Sequence, residues 1–249
     1  MSLTSLDTRR KEILHAIVEG YIQTASPISS QAIAQRLRWR VSAATVRNVM
    51  AELDELGFLW QPHTSAGRIP TDKAYRYYID SLLEIEQLTE EECRLLESQY
   101  PQEKEDFEEL LSDILRILSN FSRYTALGFS FSGRDRFYFA GASCILEQPE
   151  FQDTHKFQAI LRTFEQPKAL ISIMKRELGS EGVKVYIGGE NCYRDIQECS
   201  LVISNFKINN SSFGVLGIIG PQRMSYPKVI STVDYMARIL NERVANPEF

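Results

Sequence analysis

Apolar residues recur with the spacing of one helix face through much of residues 1–80. In the first segment they stand at i, i+1, i+4, i+5, i+8 and i+9, which predicts an amphipathic helix over residues 6–23. These positions hold Ile13, Leu14, Ile17, Val18, Tyr21 and Ile22. Pro27 cannot continue that helix, and Ser29 or Ser30 can cap a short second helix that runs to Leu37.

A third helix is predicted between Ser42, a good N-cap, and Gly57, which suits a left-handed C-cap. Its apolar positions all face one way and are Val46, Val49, Met50, Leu53 and Leu56. Residues 58–70 then follow the order strand, polar tip, strand, which is typical of a hairpin. Thr71 can cap a fourth helix. Three helices followed at once by such a hairpin, or wing, predict a winged helix-turn-helix domain over residues 1–82.

The opposite face of the third helix has the chemistry of a DNA recognition helix. Ala43 and Ala44 are small enough for close approach to a base pair. Arg47 can donate two hydrogen bonds to guanine, and Asn48 can pair with adenine. On an isolated helix such a face would more often be merely solvated, but the adjoining hairpin favours DNA. Its hydroxyls and its flexible Gly67 suit a loop that lies on a phosphate backbone.

The predicted DNA-binding residues therefore come from the second helix, the third helix, the wing and the start of the fourth helix. They are Ser29, Ser30, Gln31, Ser42, Ala43, Ala44, Thr45, Arg47, Asn48, His63, Thr64, Ser65, Arg68 and Lys73. His63 is equally consistent with a packing role in the wing, and both interpretations stay open.

A net charge of −5 becomes compatible with DNA binding once the charge is divided along the chain. Residues 1–80 carry +2, whereas residues 84–113 hold twelve acidic and two basic side chains and carry −10. The acidic run falls in a predicted helical linker, residues 83–122, where we expect it to be solvated and to repel DNA. An apolar stripe from Phe107 to Leu118 indicates either packing on its own domain or a partner-helix surface in a dimer.

Beyond the linker, five short segments rich in aromatic and β-branched residues predict strands that alternate with helices. They are residues 125–131, 136–140, 183–187, 201–206 and 213–219. The pattern predicts an α+β domain over residues 123–249, similar to a trimmed GAF domain, with regulatory and dimerising roles. Its loops 188–191 and 220–223 have ordinary turn chemistry, and Glu190 and Arg223 are expected to pair structurally. A small-ligand pocket between these loops is the alternative.

Composition narrows the functional class. No stretch approaches the roughly twenty apolar residues of a membrane span, and no secretory signal is evident, so we expect a cytoplasmic protein with no membrane contact. The cysteines form no CxxC pair and there are only three histidines, which predicts no metal or redox site and mostly buried, reduced thiols. They are Cys93, Cys144, Cys192 and Cys199.

No paired carboxylates, nucleophile with a base, or phosphate-binding loop is present in the sequence. We therefore expect neither catalysis nor a cofactor. Two rival classes are a GAF-related enzyme or metabolite-sensing protein, and a chaperonin-dependent scaffold that needs no DNA.

Several segments resemble those of one family. They are SAATVRNVMAELDELGFL at 42–59, QPHTSAGRIPTDKAYRYYID at 61–80, QPEF at 148–151, IGGEN at 187–191, CSLV at 199–202 and GIIGPQRMSYPKVISTVDY at 217–235. The first two are similar to the recognition helix, the wing and the following helix of the heat-inducible transcription repressor family HrcA. The others are similar to that family's C-terminal motifs.

The resemblance implies a repressor of heat-shock chaperone operons that binds the inverted repeat CIRCE as a homodimer and is supported by the GroEL chaperonin. There is one departure: residues 124–131 are followed directly by a turn and residues 136–140, so about ninety residues of the family's middle, including an inserted dimerising domain, are absent. The dimer surface and chaperonin sensing are the least transferable parts. A GAF-like, small-ligand-sensing regulator of another regulon is the alternative.

Overall fold

The computed structural model describes residues 6–37, 40–64, 66–99, 106–131, 134–209 and 212–244. The chain divides into two compact units, Met1–Glu84 and Ile85–Phe249. The domain boundaries predicted at residues 82 and 122 stay predictions.

The described residues of the first unit form four helices and a short hairpin, close to the predicted elements. The helices are α1 (Thr8–Thr24), α2 (Ser30–Arg36), α3 (Ala43–Glu55) and α4 (Asp72–Tyr77), the last extended by a π-helical turn at Tyr78–Leu82. The strands are β1 (Leu59–Trp60) and β2 (Ile69–Pro70), which pair antiparallel. The side chains of Asp7, Ser29, Ser42 and Thr71 accept hydrogen bonds from the first turns of the four helices, which fixes where each begins.

The core of this unit is built from one face of each of the three first helices. The apolar face predicted for α1 contributes Ile13, Leu14, Ile17 and Val18, all fully buried. Ile33 of α2 and Val46 and Leu53 of α3 are also fully buried. Because burial of each such side chain stabilises by about 1.5–3 kcal/mol, the orientation of α3 is set by its apolar stripe.

A left-handed glycine ends α3, as predicted. Gly57 has φ of 76°, its amide donates to the Asp54 carbonyl at 2.8 Å, and the Phe58 amide donates to the Leu53 carbonyl at 2.9 Å. This pair of hydrogen bonds is the Schellman motif, and the fully buried Leu53 and Phe58 side chains flank it. The motif turns the chain sharply from the end of α3 into the first strand of the hairpin.

The second unit has a five-stranded antiparallel sheet in the order β4-β3-β7-β6-β5. Its helices are α5 (Glu90–Ser98), α6 (Phe107–Ser122), α7 (Thr154–Glu165), α8 (Lys168–Arg176) and α9 (Tyr226–Val244). The strands are β3 (Thr125–Phe131), β4 (Asp135–Ala140), β5 (Lys184–Ile187), β6 (Cys199–Asn209) and β7 (Ser212–Pro221). All five predicted strands are present, and the α+β fold class is confirmed.

Helices cover both faces of this sheet. Alternate side chains of β3, β6 and β7 form one buried cluster with α7 and α8: Leu127, Phe129, Leu201, Ile203, Val215, Ile219, Ile160, Phe164, Leu170 and Ile173. Helices α6 and α9 pack on the other face. The apolar stripe of α6 is buried there, including Leu111, Ile114 and Leu118. The two interpretations of that stripe are thereby resolved in favour of packing on its own unit.

Part of the acidic segment is bound to α9. The ammonium of Lys228 lies 2.6 Å from Glu92, and the Tyr235 hydroxyl donates to Glu97 at 2.6 Å. The Lys228 hydrogen bond holds the pKa of Glu92 below its usual range. Most of the described acidic residues of this segment are nevertheless exposed, as expected: Glu84, Glu86, Glu90, Glu91, Glu97, Asp106 and Glu109.

Arg223 has a different partner from the one expected. Its guanidinium pairs with Glu150, with Nη2 3.2 Å from Oε2, and Nη2 also donates to Gln148 at 3.1 Å. Glu190, the predicted partner, accepts from the Ile187 amide at 2.9 Å. A largely buried ion pair therefore joins the 148–151 and 217–235 motifs. Because Glu150 and Arg223 are far apart in the sequence, turn chemistry alone does not predict this pair.

The sequence predicts mostly buried thiols, and the structure buries fewer of them. All four cysteines are free, but only Cys199 is buried and Cys192 is exposed. Burial raises the pKa of the Cys199 thiol well above its ordinary value. Among the described residues, no helix is both long and apolar enough to cross a membrane.

Replacing Gly57 with alanine is expected to lower the free energy of unfolding of the first unit by about 1–2 kcal/mol, because a Cβ strains the left-handed conformation. Gly57→Asn is the matched control and should cost less, since asparagine tolerates this region better. Urea unfolding measures both; equal stability of wild type and Gly57→Ala would contradict the assignment.

Removal of the Glu150 carboxylate is expected to cost the second unit about 3 kcal/mol, since Arg223 keeps a charge whose side chain is only 13% exposed. Glu150→Ala is compared with Glu147→Ala, which removes an exposed carboxylate three residues away. Thermal and urea unfolding provide the values. A loss no larger than that of the control would show that the pair contributes little.

Candidate nucleic-acid interface

The outer face of α3 is open. Ala44, Arg47 and Asn48 are exposed and Ala43 is partly exposed, whereas the stripe from Val46 to Leu53 is buried. Since the buried stripe fixes the rotation of the helix, the predicted recognition residues point out of the unit.

Two polar residues at the start of α3 have a structural role. The Ser42 hydroxyl accepts from the Thr45 amide at 3.0 Å, and the two hydroxyls lie 2.9 Å apart. Ser42 is exposed and Thr45 partly so. They form the cap of the recognition helix, and their predicted contact with DNA stays a prediction.

The start of α2 lies on the same side of the unit as Arg47 of α3. Ser29 caps α2 by accepting from the Ala32 amide at 3.2 Å, Ser30 begins the helix, and Gln31 is exposed. A helix N-terminus with hydroxyl side chains favours a phosphate oxygen, because its amides and the helix dipole both attract an anion.

A glutamine that the sequence reasoning missed holds the wing tip in shape. The Gln61 side-chain amide donates to the carbonyls of Thr64 at 3.0 Å and Ala66 at 2.8 Å, and the Ala66 amide donates to the His63 carbonyl at 2.8 Å. His63 and Thr64 are exposed. Ser65 lies outside the described residues. The sequence signal for this role is a polar residue directly after β1 and before the turn.

These three parts line one depression of about 450 Å³. Ser29 and Ser30 of the α2 start, Arg47 of α3, and Thr64 and Arg68 of the wing all contribute to its wall. The structure thus brings together residues that are up to 39 positions apart in the sequence, from Ser29 to Arg68. The start of α2, α3 and the wing therefore present hydrogen-bonding groups on one surface of the unit.

Lys73 is exposed near the start of α4 and contacts the end of α3. Its ammonium donates to the Leu56 carbonyl at 2.7 Å and lies 4.5 Å from the Phe58 ring centroid. It therefore neutralises the negative end of α3, roughly 20 Å along the helix from Ala43. Lys73 therefore helps to end α3, and its predicted contact with DNA stays a prediction.

Arg68 and Gly67 both make contacts within the unit, and the predicted contact of Arg68 with DNA stays a prediction. The Arg68 side chain is only 19% exposed, and its Nε lies 2.9 Å from Asp54 Oδ2 as an ion pair rather than a well-aligned hydrogen bond. A Cβ on Gly67 would lie 2.8 Å from the Ile28 amide nitrogen and closer still to its carbonyl. Gly67 is therefore required by close approach of two backbones, not by flexibility as the sequence suggested.

The charges of α3 are divided between its two ends. Near the C-terminus, Glu52 pairs with Arg10 at 2.7 Å and Asp54 with Arg68. Arg47, nearer the N-terminus, is exposed and has no ion-pair partner among the described residues. Within α3, the positive charge available to a polyanion is therefore that of Arg47, which lines the depression.

The described residues contain no group of three or more His, Cys, Asp or Glu side chains that could hold a metal ion. The chemistry of the surface is that of hydrogen bonding and charge neutralisation.

Comparison with known families agrees with this geometry. Residues 5–84 match the family model "Winged helix-turn-helix transcription repressor, HrcA DNA-binding", and residues 74–230 match "HrcA protein C terminal domain". The chain is similar to the heat-inducible transcription repressor HrcA of Geobacter sulfurreducens, at 30% identity over 96% of this chain and 98% of that one. The HrcA repressor of Pelotomaculum thermopropionicum is 29% identical over 95% and 96% of the two chains.

The Geobacter alignment runs over 336 residues, although this chain has 249. The relative therefore contains residues without a counterpart here, in agreement with the expected loss of an internal segment. A crystal structure described as that of a hypothetical protein has the same fold, with a TM-score of 0.82 at 21% identity over 96% of this chain and 99% of that one.

The family is one of transcription repressors and not of enzymes, which agrees with the expectation of no catalytic activity. Both family models match, and together they extend from residue 5 to residue 230. The chain belongs to the HrcA family of heat-inducible transcription repressors, and its N-terminal unit is that family's winged helix-turn-helix DNA-binding domain.

Proposed function

We propose that this protein represses heat-shock chaperone operons from the cytoplasm by binding a CIRCE-type inverted repeat as a dimer, with one copy on each half-site. The observation that carries the proposal is the open face of α3 beside the wing, on a helix whose opposite face is fixed in the core. The operator type and the regulon are carried over from the resemblance to the family.

In this proposal the N-terminal half of α3 enters the major groove. Arg47 donates two hydrogen bonds to a guanine, and Asn48 pairs with an adenine. The methyl groups of Ala43 and Ala44 contact thymine methyls or allow close approach. The α2 start and the wing tip lie on phosphates and fix the register of the helix in the groove.

Binding as a dimer is supported by the small net charge of the DNA-binding unit. Residues 1–80 carry only +2, and Arg10, Arg68 and Lys73 are engaged within the unit. One copy then makes few phosphate contacts, and two copies on half-sites roughly 34–36 Å apart add their free energies. The GroEL chaperonin is proposed as a supporting partner from the family resemblance alone.

Ligand sensing through the 188–191 and 220–223 loops is the weaker candidate. Asn191 is buried and its amide donates to the carbonyls of Gly188, Ile196 and Cys199 at 2.8–3.1 Å. Arg223 is engaged with Glu150. These polar groups hold the loops together, so a structural role explains them.

Band shifts over a salt series are expected to show tight binding to an inverted-repeat duplex and weaker binding to a scrambled duplex. The logarithm of the affinity should fall with the logarithm of the salt concentration by about 0.9 per phosphate contacted. Two copies should occupy each full site. Equal affinity for both duplexes at every salt concentration would argue against specific repression.

Arg47→Ala is expected to lower affinity for the operator by about 1–3 kcal/mol and to relax the preference at one base pair of each half-site. Arg94→Ala, which removes an arginine that is 78% exposed in the second unit, is the charge-matched control and should bind like wild type. Competition against single-base operator variants measures the preference. An unchanged preference in Arg47→Ala would exclude this residue from base contact.

A further inference from the structure

The wing has too little structure of its own to define its orientation. Each strand contributes two residues, with Leu59 opposite Pro70 and Trp60 opposite Ile69. An isolated two-stranded hairpin is marginally stable even when it is longer. The angle between the wing and α3 must therefore come from attachments outside the hairpin.

Three such attachments meet at Arg68 and its neighbour. The amide and carbonyl of Arg68 bond to the carbonyl and amide of Ile28, both at 2.9 Å. Gly67 lies against the backbone of Ile28 with no room for a side chain. The Arg68 guanidinium pairs with Asp54 in the last turns of α3. The wing is thus tied to the segment before α2 by backbone and to α3 by charge.

We propose that Arg68 is a positioning residue: with Asp54 it forms a latch that sets the angle between the wing and the recognition helix, and it does not contact phosphate. The inference rests on the proposed DNA binding of this unit. The Asp54 side chain is 34% exposed and that of Arg68 is 19% exposed, so the latch is partly shielded from solvent. With 19% of its side chain exposed, Arg68 has little surface to offer a duplex.

The latch and the phosphate-contact interpretation predict different salt dependence. Loss of a phosphate contact lowers the salt slope by about 0.9, because one fewer counterion is released. Loss of a positioning contact weakens binding at every salt concentration and leaves the slope unchanged. Asp54 provides a second distinction. If Asp54 merely faced DNA, its charge would repel the DNA, and neutralising that charge would tighten binding. If Asp54 is part of the latch, neutralising it weakens binding.

A matched control exists on the same helix. Arg10 of α1 pairs with Glu52, two residues before Asp54, and also with Asp7, and neither partner belongs to the wing. Arg10→Gln removes ion pairs to α3 and to the start of α1 and leaves Asp54 and Arg68 in place. It therefore reports the general cost of losing such a pair.

The experiment measures affinity for the inverted-repeat duplex over a salt series for wild type, Arg68→Gln, Asp54→Asn, the double variant and Arg10→Gln. We expect each latch variant to bind about tenfold more weakly with an unchanged slope, and the double variant to bind no more weakly than either single variant. Arg10→Gln should bind like wild type. A slope lower by about 0.9 in Arg68→Gln, or tighter binding by Asp54→Asn, would overturn the latch.

Amide hydrogen exchange tests the latch without DNA. The amides of Ile28 and Arg68 should exchange faster in Arg68→Gln and Asp54→Asn than in wild type and Arg10→Gln, while those in the middle of α1 stay protected. Unchanged exchange at both amides would also overturn the proposal. Failure of wild type to bind the operator would refute the proposed function, and this exchange measurement would still decide the latch.

Gly67→Ala perturbs the backbone attachment without altering charge. We expect it to reproduce the weaker binding and unchanged slope, because a Cβ forces the wing away from Ile28. Binding equal to wild type would show that the wing angle does not matter for affinity.

Discussion

Burial of one face of α3 fixes the geometry of the first unit. Val46 and Leu53 are fully buried, with the apolar faces of α1 and α2 forming the same core. A helix fixed on one side has no freedom to rotate, so the opposite side is presented at a constant angle. That side carries small side chains, a guanidinium and a carboxamide. Their outward orientation follows from the packing of the opposite face of α3 in the core.

Around this helix the charges are arranged so that its two ends differ. The acidic C-terminal half is neutralised by Arg10, Arg68 and Lys73, each from a different element. The same contacts attach α1, the wing and α4 to α3. Arg47 is thereby left as the exposed cation of the N-terminal half, where the α2 start and wing tip also converge. Low net charge and a localised binding surface are therefore compatible.

Features that depend on neighbouring residues in the chain could be predicted from the sequence. The cap at Ser42, the left-handed end at Gly57, the inward stripe of α3 and the five strands of the sheet all follow from local geometry and periodicity. The partners of ion pairs between residues far apart in the sequence could not be predicted. Arg68 with Asp54, and Arg223 with Glu150, are fourteen and seventy-three positions apart, and several acids in the sequence were equally good candidates. Close approach at Gly67 also depends on where Ile28 lies, which no local pattern encodes.

The role proposed for α3 requires this helix to lie in the major groove of duplex DNA. Methylation interference on an operator duplex tests it directly, because methyl groups on guanine N7 lie in the major groove and those on adenine N3 in the minor groove. If α3 lies in the major groove, binding is lost when guanine N7 is methylated within each half-site. Interference confined to adenine N3 positions would contradict it.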